Sequence, residues 1–512
     1  MSKTGKLFSL SFRLSFMDIS LRKGYLSKEK CDLLVVNAFE ESGVGGATES
    51  VDLALDGKLV KFWKEDAFKG KQGSTNLLRV GSGIPAKRVV VVGLGKKEDF
   101  NLEVVRQAAA TSLKVAKSLE AKHVVSVMHG VGNGGLSARD VARVMVEGVR
   151  LADYTFAKYK KDKTVSPKLF EIVTKNGRHV RNGEKGLDEG EAEAAGVVFA
   201  RDLVNTPGMD LHPETLVEAA RKVAKGKGSI RVRVYDREKL EKMGAGCLLG
   251  VAKGSVHEPK MVHMVYTPKV KTKKKVCLVG KAVTFDSGGL SLKPSQYMET
   301  MKCDMAGSAA VLGVFAAIDQ MAPKVEVHGI FGAAENMPSG EAIRPGDVLT
   351  AMNKMTIEVL NTDAEGRLTL ADTLTYATKQ KPDAIIDLAT LTGACVVALG
   401  EEITALMSNN SELSQKILAS AEEAGEKMWE MPLEKNYKKL IKSEIADIKN
   451  TGSRWGGAIT AGLFLQNFVN DIPWVHLDIA GPAFAERVVD PYTGKGGTGH
   501  GVRTLLHYLR SF

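Results

Sequence analysis

The sequence predicts an α/β protein with two domains, a smaller N-terminal one and a larger C-terminal one. Its 512 residues suffice for two to three domains of ordinary size. Short β-branched runs alternate with segments of helical periodicity along most of the chain, which is typical of α/β domains. A polar, charged stretch at about 155–190 interrupts this alternation. We therefore predict a boundary there, with domains at 1–180 and 181–512.

The N-terminal domain is predicted to begin with a strand, because LFSLSFRLSF alternates apolar and polar residues. The same start is basic and free of acids before Asp18, so a transit peptide is the less favoured alternative. Later strands are predicted over CDLLVVNAF, RVVVVGLG, HVVSVMHG and, within the polar stretch, LFEIVTK. Helical periodicity marks NLEVVRQAAATSLKVAKSLE and SARDVARVMVEGVRLADYTF.

The C-terminal domain is predicted to begin with a helix, GEAEAAGVVFARDLVNTPG, which stops at Pro207 and Gly208. A second α/β alternation follows. Its predicted strands are IRVRVYD, MVHMVYTP, KVCLVG, VEVHGIFG, AIIDLAT and PWVHLDIAG. Helices are predicted at about 304–321, 368–380 and 457–470.

Bulk composition favours a globular protein of a reducing compartment. Hydrophobic residues make up 44% and charged residues 26%, and no apolar run approaches the roughly 20 residues needed to span a bilayer. We therefore expect no membrane partner. The five cysteines lack CxxC spacing and leave one over if paired, which predicts free thiols and a cytoplasmic location.

The net charge of +11 makes nucleic acid a possible but not a favoured partner. The cluster KVKTKKK at 269–275 precedes a predicted strand and is typical of a solvated loop. No aromatic-interleaved basic motif or zinc finger accompanies the charge.

One stretch, VGKAVTFDSGGLSLKPSQYMETMKCDMAGSAA at 279–310, is predicted to run from a strand through a glycine-rich loop into a helix. Ligand sites of open α/β sheets gather where loops leave the carboxyl ends of strands. We expect Lys281 and Asp286 on that loop and Asp304 at the helix N-terminus.

A second stretch, NTDAEGRLTLAD at 361–372, leaves another predicted strand, MTIEVL. In an extended segment Asp363, Glu365 and Arg367 would project to one side. Two strand exits in one sheet would then bring four carboxylates together, with Lys293 and Arg367 at the edge. Such carboxylates repel one another unless cations are bound, and hard oxygen ligands suit Mg, Mn or Zn. A pair of ions is the usual arrangement for hydrolysis.

Each residue also has a simpler interpretation. Asp304 alone is more often a helix N-cap, and Asp363 alone is more often a turn residue. Glu365 and Arg367 would fit a surface ion pair, while Lys293 before Pro294 would fit an ordinary loop cation. Lys281 binds metal only as a neutral amine, which requires a lowered pKa.

Both stretches closely resemble the signatures of the leucyl aminopeptidase family, the cytosol-type dimetal aminopeptidases. Similar segments recur in family order across the second domain, among them RDLVNTPG, ENMPSGEAIRPGDVLTAMNKMTIEVL, IDLATLTGACVVALG, PWVHLDIAGPAF and GTGHGVRTLL. The resemblance implies a macro-like N-terminal α/β domain, a catalytic domain with a mixed, mostly parallel sheet, and a homo-oligomer, a hexamer.

The resemblance also assigns the site, residue by residue. It implies two divalent ions per subunit, Zn or Mn, or else Mg or Co, held by Lys281, Asp286, Asp304, Asp363 and Glu365. It implies that Lys293 and Arg367 are the catalytic pair, with bicarbonate held by Arg367. By the same resemblance the pocket for the first substrate side chain contains Met301, Thr390, Gly393 and Ala480.

The implied activity is removal of N-terminal residues, leucine or other apolar ones preferred, from peptides with a free amino group. Water activated by the two metals attacks, and Lys293 stabilises the oxyanion. Two rival functions stay open. A metal-dependent phosphohydrolase uses similar carboxylates but usually adds a histidine or a phosphate-binding loop. A noncatalytic DNA-binding role is compatible with the basic charge.

Overall fold

The protein is described by a computed structural model over residues 17–40, 44–161 and 165–512. Contacts divide it into two compact units between Glu191 and Ala192. Each unit is built on its own β-sheet flanked by helices, so the predicted two-domain α/β architecture is confirmed. The strand predicted over LFSLSFRLSF lies outside the described residues.

The N-terminal unit contains a six-stranded sheet in the order β1-β6-β5-β2-β4-β3, in which β3 pairs antiparallel and the others pair parallel. Its strands are β1 Asp18–Lys23, β2 Leu33–Ala38, β3 Thr75–Arg79, β4 Arg88–Gly93, β5 His123–Val127 and β6 Leu169–Thr174. Its helices are α1 Gly46–Ala54, α2 Lys58–Glu65, α3 Leu102–Ser118 and α4 Ala138–Asp153, with a 3-10 turn at Leu26–Lys28. The predicted strands β2, β4, β5 and β6 and helices α3 and α4 are confirmed.

Helices cover both faces of this sheet because alternate strand residues point to opposite sides. Leu33 and Val35 join one buried cluster with α3 and α4. Leu34 and Val36 join a second cluster with α1 and α2. Burial on both faces explains why these strands are nearly continuous apolar runs.

His129 follows β5 and is fully buried between polar partners. Its Nδ1 lies 3.0 Å from Asn37 Nδ2, and its Nε2 lies 3.3 Å from Ser126 Oγ. Burial lowers the pKa of His129 to about 4. The folded protein therefore holds this ring neutral at pH values where the unfolded chain protonates it.

This depressed pKa predicts a loss of stability in acid. The unfolded chain binds the extra proton below about pH 6.5, so the contribution of His129 to the free energy of unfolding falls by about 2 kcal/mol between pH 6.5 and pH 5. This contribution continues to fall until the pH is below the pKa of His129 in the folded protein. Thermal or urea unfolding of the wild type and of His129→Gln at pH 7 and pH 5 measures it as a difference between the two proteins. His129→Gln should lose less stability than the wild type over this interval, and an equal loss would contradict the prediction.

Helix α5, Gly177–Asn205, begins much earlier than predicted and runs through the division between the units. The stretch KNGRHVRNGEKGLDEGE, which belongs to the polar region where we predict the domain boundary, is therefore largely helical. Its buried face consists of Gly183, Gly186 and Gly190, spaced three and four residues apart. A Cβ on Gly186 would lie 2.0 Å from Arg139 O, so glycine permits close approach to α4. Because glycine has no apolar side chain, a search for apolar periodicity does not detect this buried face.

The C-terminal unit is built on an eight-stranded sheet in the order β15-β14-β17-β13-β9-β10-β8-β7. Most of its pairings are parallel, as the resemblance implied. Its strands are β7 Ile230–Tyr235, β8 Lys260–Tyr266, β9 Lys275–Asp286, β10 Glu326–Asn336, β13 Ala384–Ala389, β14 Thr404–Ser408, β15 Met428–Glu430 and β17 Trp474–Asp478. Two small sheets contain β11 Val348–Thr350, β12 Thr356–Glu358 and β16 Ile448–Lys449, and β18 Phe484–Ala485 and β19 Gly496–Gly497.

The helices of this unit are α6 Pro213–Ala224, α7 Arg237–Met243, α8 Gly246–Val251, α9 Ser295–Met298, α10 Ala306–Met321, α11 Glu365–Thr378, α12 Gly393–Leu399, α13 Ser411–Ala424, α14 Gly457–Gln466 and α15 Val502–Arg510. Short 3-10 helices occur at Ala252–Gly254, Met301–Cys303 and Lys435–Ile441. The predicted strands and helices of this domain are confirmed.

Helices α10 and α11 lie on opposite faces of the central strand β9. Gly280 of β9 contacts Gly307 of α10, whereas Cys277 and Val279 share a buried cluster with α11. The stretch Ser295–Met321 is apolar and long enough to cross a membrane by composition, but 83% of its most apolar window is buried in the protein. Its continuous part, α10, is thus a core helix.

Candidate metal centre and active site

Strand β9 carries two of the predicted metal ligands. We expected Lys281 and Asp286 on a loop, but both belong to β9, which extends six residues beyond its predicted end. Residues five apart in a regular strand face opposite sides. Here the register with β10 shifts, since β9 advances from Val283 to Asp286 while β10 advances from Ala334 to Asn336. This irregularity, a β-bulge by its residue count, redirects Asp286.

The turn after β9 is closed by hydrogen bonds to Asp286. Its Oδ1 accepts from Gly288 N at 2.9 Å and from Asn336 Nδ2 at 2.8 Å. Gly288 has a φ of 88°, and a Cβ there would lie 2.9 Å from Asp363 Oδ1. Glycine is required because a side chain would be strained and would enter the acidic cluster.

Asp304 lies between the 3-10 helix Met301–Cys303 and α10, and its side chain is directed into the site. The N-cap of α10 is Met305, so the N-cap alternative for Asp304 is wrong. Asp304 Oδ1 accepts from Lys281 Nζ at 2.7 Å and from Thr390 Oγ1 at 2.8 Å.

The second stretch is helical and not extended beyond Ala364. Asp363 lies in a turn, whereas Glu365 and Arg367 belong to the first turn of α11. The preceding strand, β12, belongs to the three-stranded sheet, so the expectation of two exits from one sheet is wrong. The stretch reaches the main sheet through Thr362. Its Oγ1 donates to Gly288 O at 2.6 Å and accepts from Ser291 N at 2.8 Å.

These elements bring the acidic residues together. Ligand oxygens of Asp286, Asp363 and Glu365 all lie within 4.8 Å of one another. Glu365 is buried, and neither of its carboxylate oxygens accepts a hydrogen bond from any described residue. Oδ2 of Asp304 is also buried and accepts no hydrogen bond from any described residue. A buried carboxylate without donors is costly, so these oxygens fit a divalent cation.

The Lys281 side chain joins two of the acids. Its Nζ donates to Thr390 O at 2.9 Å and lies 2.9 Å from Glu365 Oε1, an ion pair without hydrogen-bond angles. Burial lowers the pKa of Lys281, but the carboxylates of Asp304, Glu365 and Asp286 outweigh it and raise the pKa. Lys281 is therefore an ammonium that lies among several carboxylates. It fits a metal only after the charge of that metal displaces its proton.

Lys293 bridges two carboxylates from separate stretches. Its Nζ lies 2.8 Å from Asp286 Oδ2 and also contacts Asp363 Oδ1. Burial opposes its charge, but Asp286 and Glu365 raise the pKa of Lys293 above its ordinary range. Lys293 is thus a fixed cation of the site, and the loop-cation alternative is wrong.

The guanidinium of Arg367 has one paired nitrogen, Nη1, and one unpaired nitrogen, Nε, among the described residues. Its Nη1 donates to Asn450 O at 2.8 Å, whereas its buried Nε finds no acceptor among the described residues. No ion pair joins Arg367 to Glu365 in the described structure, so the surface-pair alternative is wrong. Burial lowers the pKa of Arg367, but a guanidinium stays charged at neutral pH. An anion at Nε would complete its hydrogen bonding.

The carboxylic acids repel one another in this small volume. Burial and then Glu365 raise the pKa of Asp286, and burial and then Asp286 raise the pKa of Asp363. Burial also raises the pKa of Asp304. All three directions show that unneutralised negative charge is disfavoured, as the sequence predicted.

Several positioning residues were not predicted. Asn336 donates to both Asp286 Oδ1 and Thr362 O, and Asn450 Nδ2 donates to Asn361 O at 2.7 Å. Gly366 lies against Lys281, where a Cβ would be 2.4 Å from Lys281 Cε. A single asparagine or glycine carries no pattern that indicates such a contact.

The four residues predicted to line the substrate pocket differ from one another in their exposure and in their contacts. Thr390 contacts Asp304 and Lys281, which makes it a support of two predicted metal ligands. Gly393 is exposed at the start of α12, with open space where its Cβ would be. Met301 and Ala480 are partly buried.

Asp478 connects the loop of Thr390 to Ala480. It accepts from Leu391 N at 3.1 Å, from Thr392 Oγ1 at 2.7 Å and from Ala480 N at 3.2 Å. Because Asp478 is fully buried, it fixes the backbone that presents Thr390 O to Lys281.

Both units match models of one protein family. Residues 198–506 match the catalytic domain of the cytosol aminopeptidase family, and residues 35–163 match its N-terminal domain. A probable cytosol aminopeptidase of Alkaliphilus oremlandii is 44% identical over 97% of this chain and 99% of its own length. One from Thermosynechococcus vestitus is 46% identical over 94% of this chain and 96% of its own.

Solved structures agree. A tomato leucine aminopeptidase mutant matches with a TM-score of 0.87 and 35% identity, covering 97% of both chains. The bottromycin maturation enzyme BotP in complex with Mn matches with a TM-score of 0.83 and 34% identity, covering 94% of this chain and 99% of that one. With its acidic cluster and both domains matched over nearly the whole length, the chain belongs to the cytosol aminopeptidase family, whose members are metal-dependent aminopeptidases.

Proposed function

We propose that this aminopeptidase uses two divalent ions per subunit and removes leucine or another apolar residue from peptides with a free amino terminus. The observation that carries the proposal is the clustering of Asp286, Asp363 and Glu365, with both Glu365 oxygens lacking donors among the described residues. Lys281 and Lys293 supply two positive charges against the four carboxylates of Asp286, Asp304, Asp363 and Glu365. The remaining excess of negative charge fits bound cations.

The residues that would hold the ions are Lys281, Asp286, Asp304, Asp363 and Glu365. Carboxylate oxygens suit Mn, Mg, Zn or Co, and the manganese complex of BotP favours Mn among them. When bound, the pair supplies positive charge that activates water and polarises a carbonyl group. Hydrogen bonds from Asn336 and Gly288 to Asp286, and from Lys281 to Thr390, orient these side chains.

The two cations of the site have different roles in this proposal. Lys293 donates to the oxygen that becomes negative in the tetrahedral intermediate, because its ammonium already lies between Asp286 and Asp363. Arg367 holds bicarbonate, whose carboxylate-like oxygens match a guanidinium with a free Nε. Bicarbonate would supply the base that the site lacks, since no histidine occurs in the two motif stretches.

The substrate preference rests on the pocket residues Met301, Thr390, Gly393 and Ala480. Open space at Gly393 leaves room for a substrate side chain, and Met301 and Ala480 would offer it apolar surface. A free amino group is required because a neutral amine has a lone pair that can ligate metal, whereas the lone pair of an amide nitrogen in a blocked N-terminus is delocalised. Peptides with blocked N-termini should therefore not be hydrolysed.

We further propose a cytoplasmic homo-oligomer, a hexamer. The relatives are named cytosol aminopeptidases, and the five cysteines are buried free thiols, as expected in a reducing compartment. Light scattering of the purified protein tests the oligomer. Nucleic acid is a possible but not a favoured partner, because the exposed lysines at 269–274, in a loop before β9, have no aromatic residues between them.

Hydrolysis of leucine p-nitroanilide tests the proposed function. We expect metal-dependent release of nitroaniline, loss of activity with a chelator and recovery on addition of Mn²⁺. The N-acetylated substrate should be inert. If the protein hydrolyses a phosphate ester but not the anilide, it is instead a phosphohydrolase. A salt-sensitive gel shift with DNA in a protein inactive on both substrates would favour the binding role.

Gly366→Ala should separate activity from stability. Alanine is favoured over glycine within α11 by up to about 1 kcal/mol, so the helix should persist. Its Cβ, however, meets Lys281 Cε at 2.4 Å and must displace that side chain. We expect kcat/KM for the anilide to fall at least about tenfold, because loss of a group that only supports a metal ligand already costs about 10- to 100-fold. The melting temperature should change little.

Gly177→Ala at the start of α5 is the matched control, because its Cβ would meet no atom within 4 Å. It should retain the wild-type kcat/KM. A fully active Gly366→Ala enzyme would show that the position of Lys281 does not matter.

A further inference from the structure

The N-terminal unit contains a cavity of about 680 Å³ that the proposed hydrolysis does not use. It lies at one edge of the six-stranded sheet, beyond the carboxyl ends of four neighbouring parallel strands. Gly24 after β1, Ala38 of β2, Val127 of β5 and Thr174 of β6 line it. Its volume falls within the range of about 300–1,000 Å³ found for small-molecule sites.

The cavity coincides with the point where the chain reverses its direction across the sheet. From β2 the chain passes through α1 and α2 towards β3 and β4 on one side. From the adjacent strand β5 it passes through α4 to β6 on the other side. The two connections also pack on opposite faces, which opens a crevice between β2 and β5. Ligands of open α/β sheets bind at this kind of crevice.

One wall of the cavity is the start of α1, formed by Gly45, Gly46 and Ala47. No side chain of a described residue caps the first backbone N–H groups of this helix. A Cβ on Gly45 or Gly46 would meet no atom within 4 Å, so the backbone borders open space. Free N–H groups at the positive end of a helix favour an anion.

The charged residues around the cavity have one sign. Lys97 and Lys175 are among its described lining residues, and no carboxylate is. Amide side chains of Asn37, Asn133 and Asn176 add neutral donors and acceptors. Among the residues that the structure describes, the lining is therefore positively charged, which favours a negatively charged ligand.

The remaining lining is apolar and aromatic. Phe39 and Tyr25 border the cavity together with Val44, Val131 and Met128. Lys97 Nζ lies 5.6 Å from the centre of the Phe39 ring, which places a cation and an aromatic face side by side. Such a surface accommodates a flat ring next to an anionic group.

We propose that this cavity binds a small molecule that carries a phosphate group and a ring, a ligand of mononucleotide size. The phosphate lies at the start of α1 and Lys97, and the ring lies on the apolar wall near Phe39. This site belongs to the N-terminal unit, and its occupant is neither substrate nor metal of the hydrolytic site. The proposal does not depend on the proposed substrate preference.

Calorimetric titration of the full-length, metal-loaded protein with AMP tests the proposal, with adenosine and inorganic phosphate as partial probes. The informative variant is Gly45→Asp. The φ of Gly45 is −145°, which any residue adopts, and aspartate is a favoured N-cap. Its carboxylate would accept the free N–H groups of α1 and repel a phosphate. The helix should be kept, because the new cap stabilises it.

Gly81→Asp is the matched control, with the same change of charge on an exposed residue of the same unit that does not line the cavity. We expect AMP to bind the wild type and Gly81→Asp saturably and more tightly than adenosine or phosphate. Gly45→Asp should bind AMP at least about tenfold more weakly, with unchanged anilide hydrolysis and melting temperature. Absence of saturable AMP binding to the wild type, or equal binding by Gly45→Asp, would overturn the proposal.

Discussion

Glu365→Gln should lower kcat/KM for leucine p-nitroanilide by more than about a hundredfold, since even loss of a group behind a metal ligand costs about 10- to 100-fold. Glu365 is buried at the start of α11, and neither of its oxygens has a hydrogen-bond donor among the described residues. Glutamine keeps the shape of the side chain but removes the charge that balances a cation. The variant should therefore fold and fail to retain its full metal content.

Two measurements separate this result from simple misfolding. Elemental analysis after dialysis should show less Mn per subunit in Glu365→Gln than in the wild type. Added Mn²⁺ should raise the melting temperature of the wild type and raise that of the variant less. Glu358→Gln on β12 is the control, because its side chain binds Ser443 outside the acidic cluster. A Glu365→Gln enzyme with wild-type metal content and activity would exclude Glu365 as a ligand.

Lys293→Met should lower kcat by about 10²- to 10³-fold with a smaller change in KM, the usual effect of removing one oxyanion donor. Lys293 Nζ contacts both Asp286 and Asp363, so the ammonium lies at the centre of the acids. Methionine fills similar volume without charge. Because a structural lysine would alter binding and stability instead, the split between kcat and KM identifies the role.

Lys302→Met is the matched control for this change. Lys302 is a nearby lysine whose Nζ donates to Asn205 O at 3.1 Å, away from the carboxylates. It should keep a wild-type kcat. A rise in KM at constant kcat for Lys293→Met would contradict a role in stabilising the transition state.

Much of the fold is predictable because its strands are buried on both faces. RVVVVGLG and AIIDLAT are largely apolar, with Arg88 and Asp387 as the charged residues, and they form β4 and β13. Helix α5 was predicted too short because the buried face of its first part consists of Gly183, Gly186 and Gly190, which carry no apolar signal. The short helices α1 and α2 and the strand β14 were not predicted, since tertiary packing stabilises them more than their local sequence does.

The site is predictable in composition but not in geometry. The acids in two stretches indicated cations, and the family resemblance gave each residue a role. The sequence did not reveal that an irregularity in β9 redirects Asp286 relative to Lys281, because a bulge depends on pairing with β10. Nor did it reveal that Thr362, Asn336 and Asn450 join stretches from separate sheets. Those contacts exist only between residues distant in the chain.

The most direct test is anomalous diffraction from crystals soaked in Mn²⁺. The account predicts two manganese peaks per subunit within the cluster of Asp286, Asp304, Asp363 and Glu365, with Lys281 Nζ at one of them. It also predicts that Lys293 stays outside the coordination sphere of both ions. No peak in this cluster, at a metal concentration that supports hydrolysis of the anilide, would contradict the central claim that cations neutralise these acids.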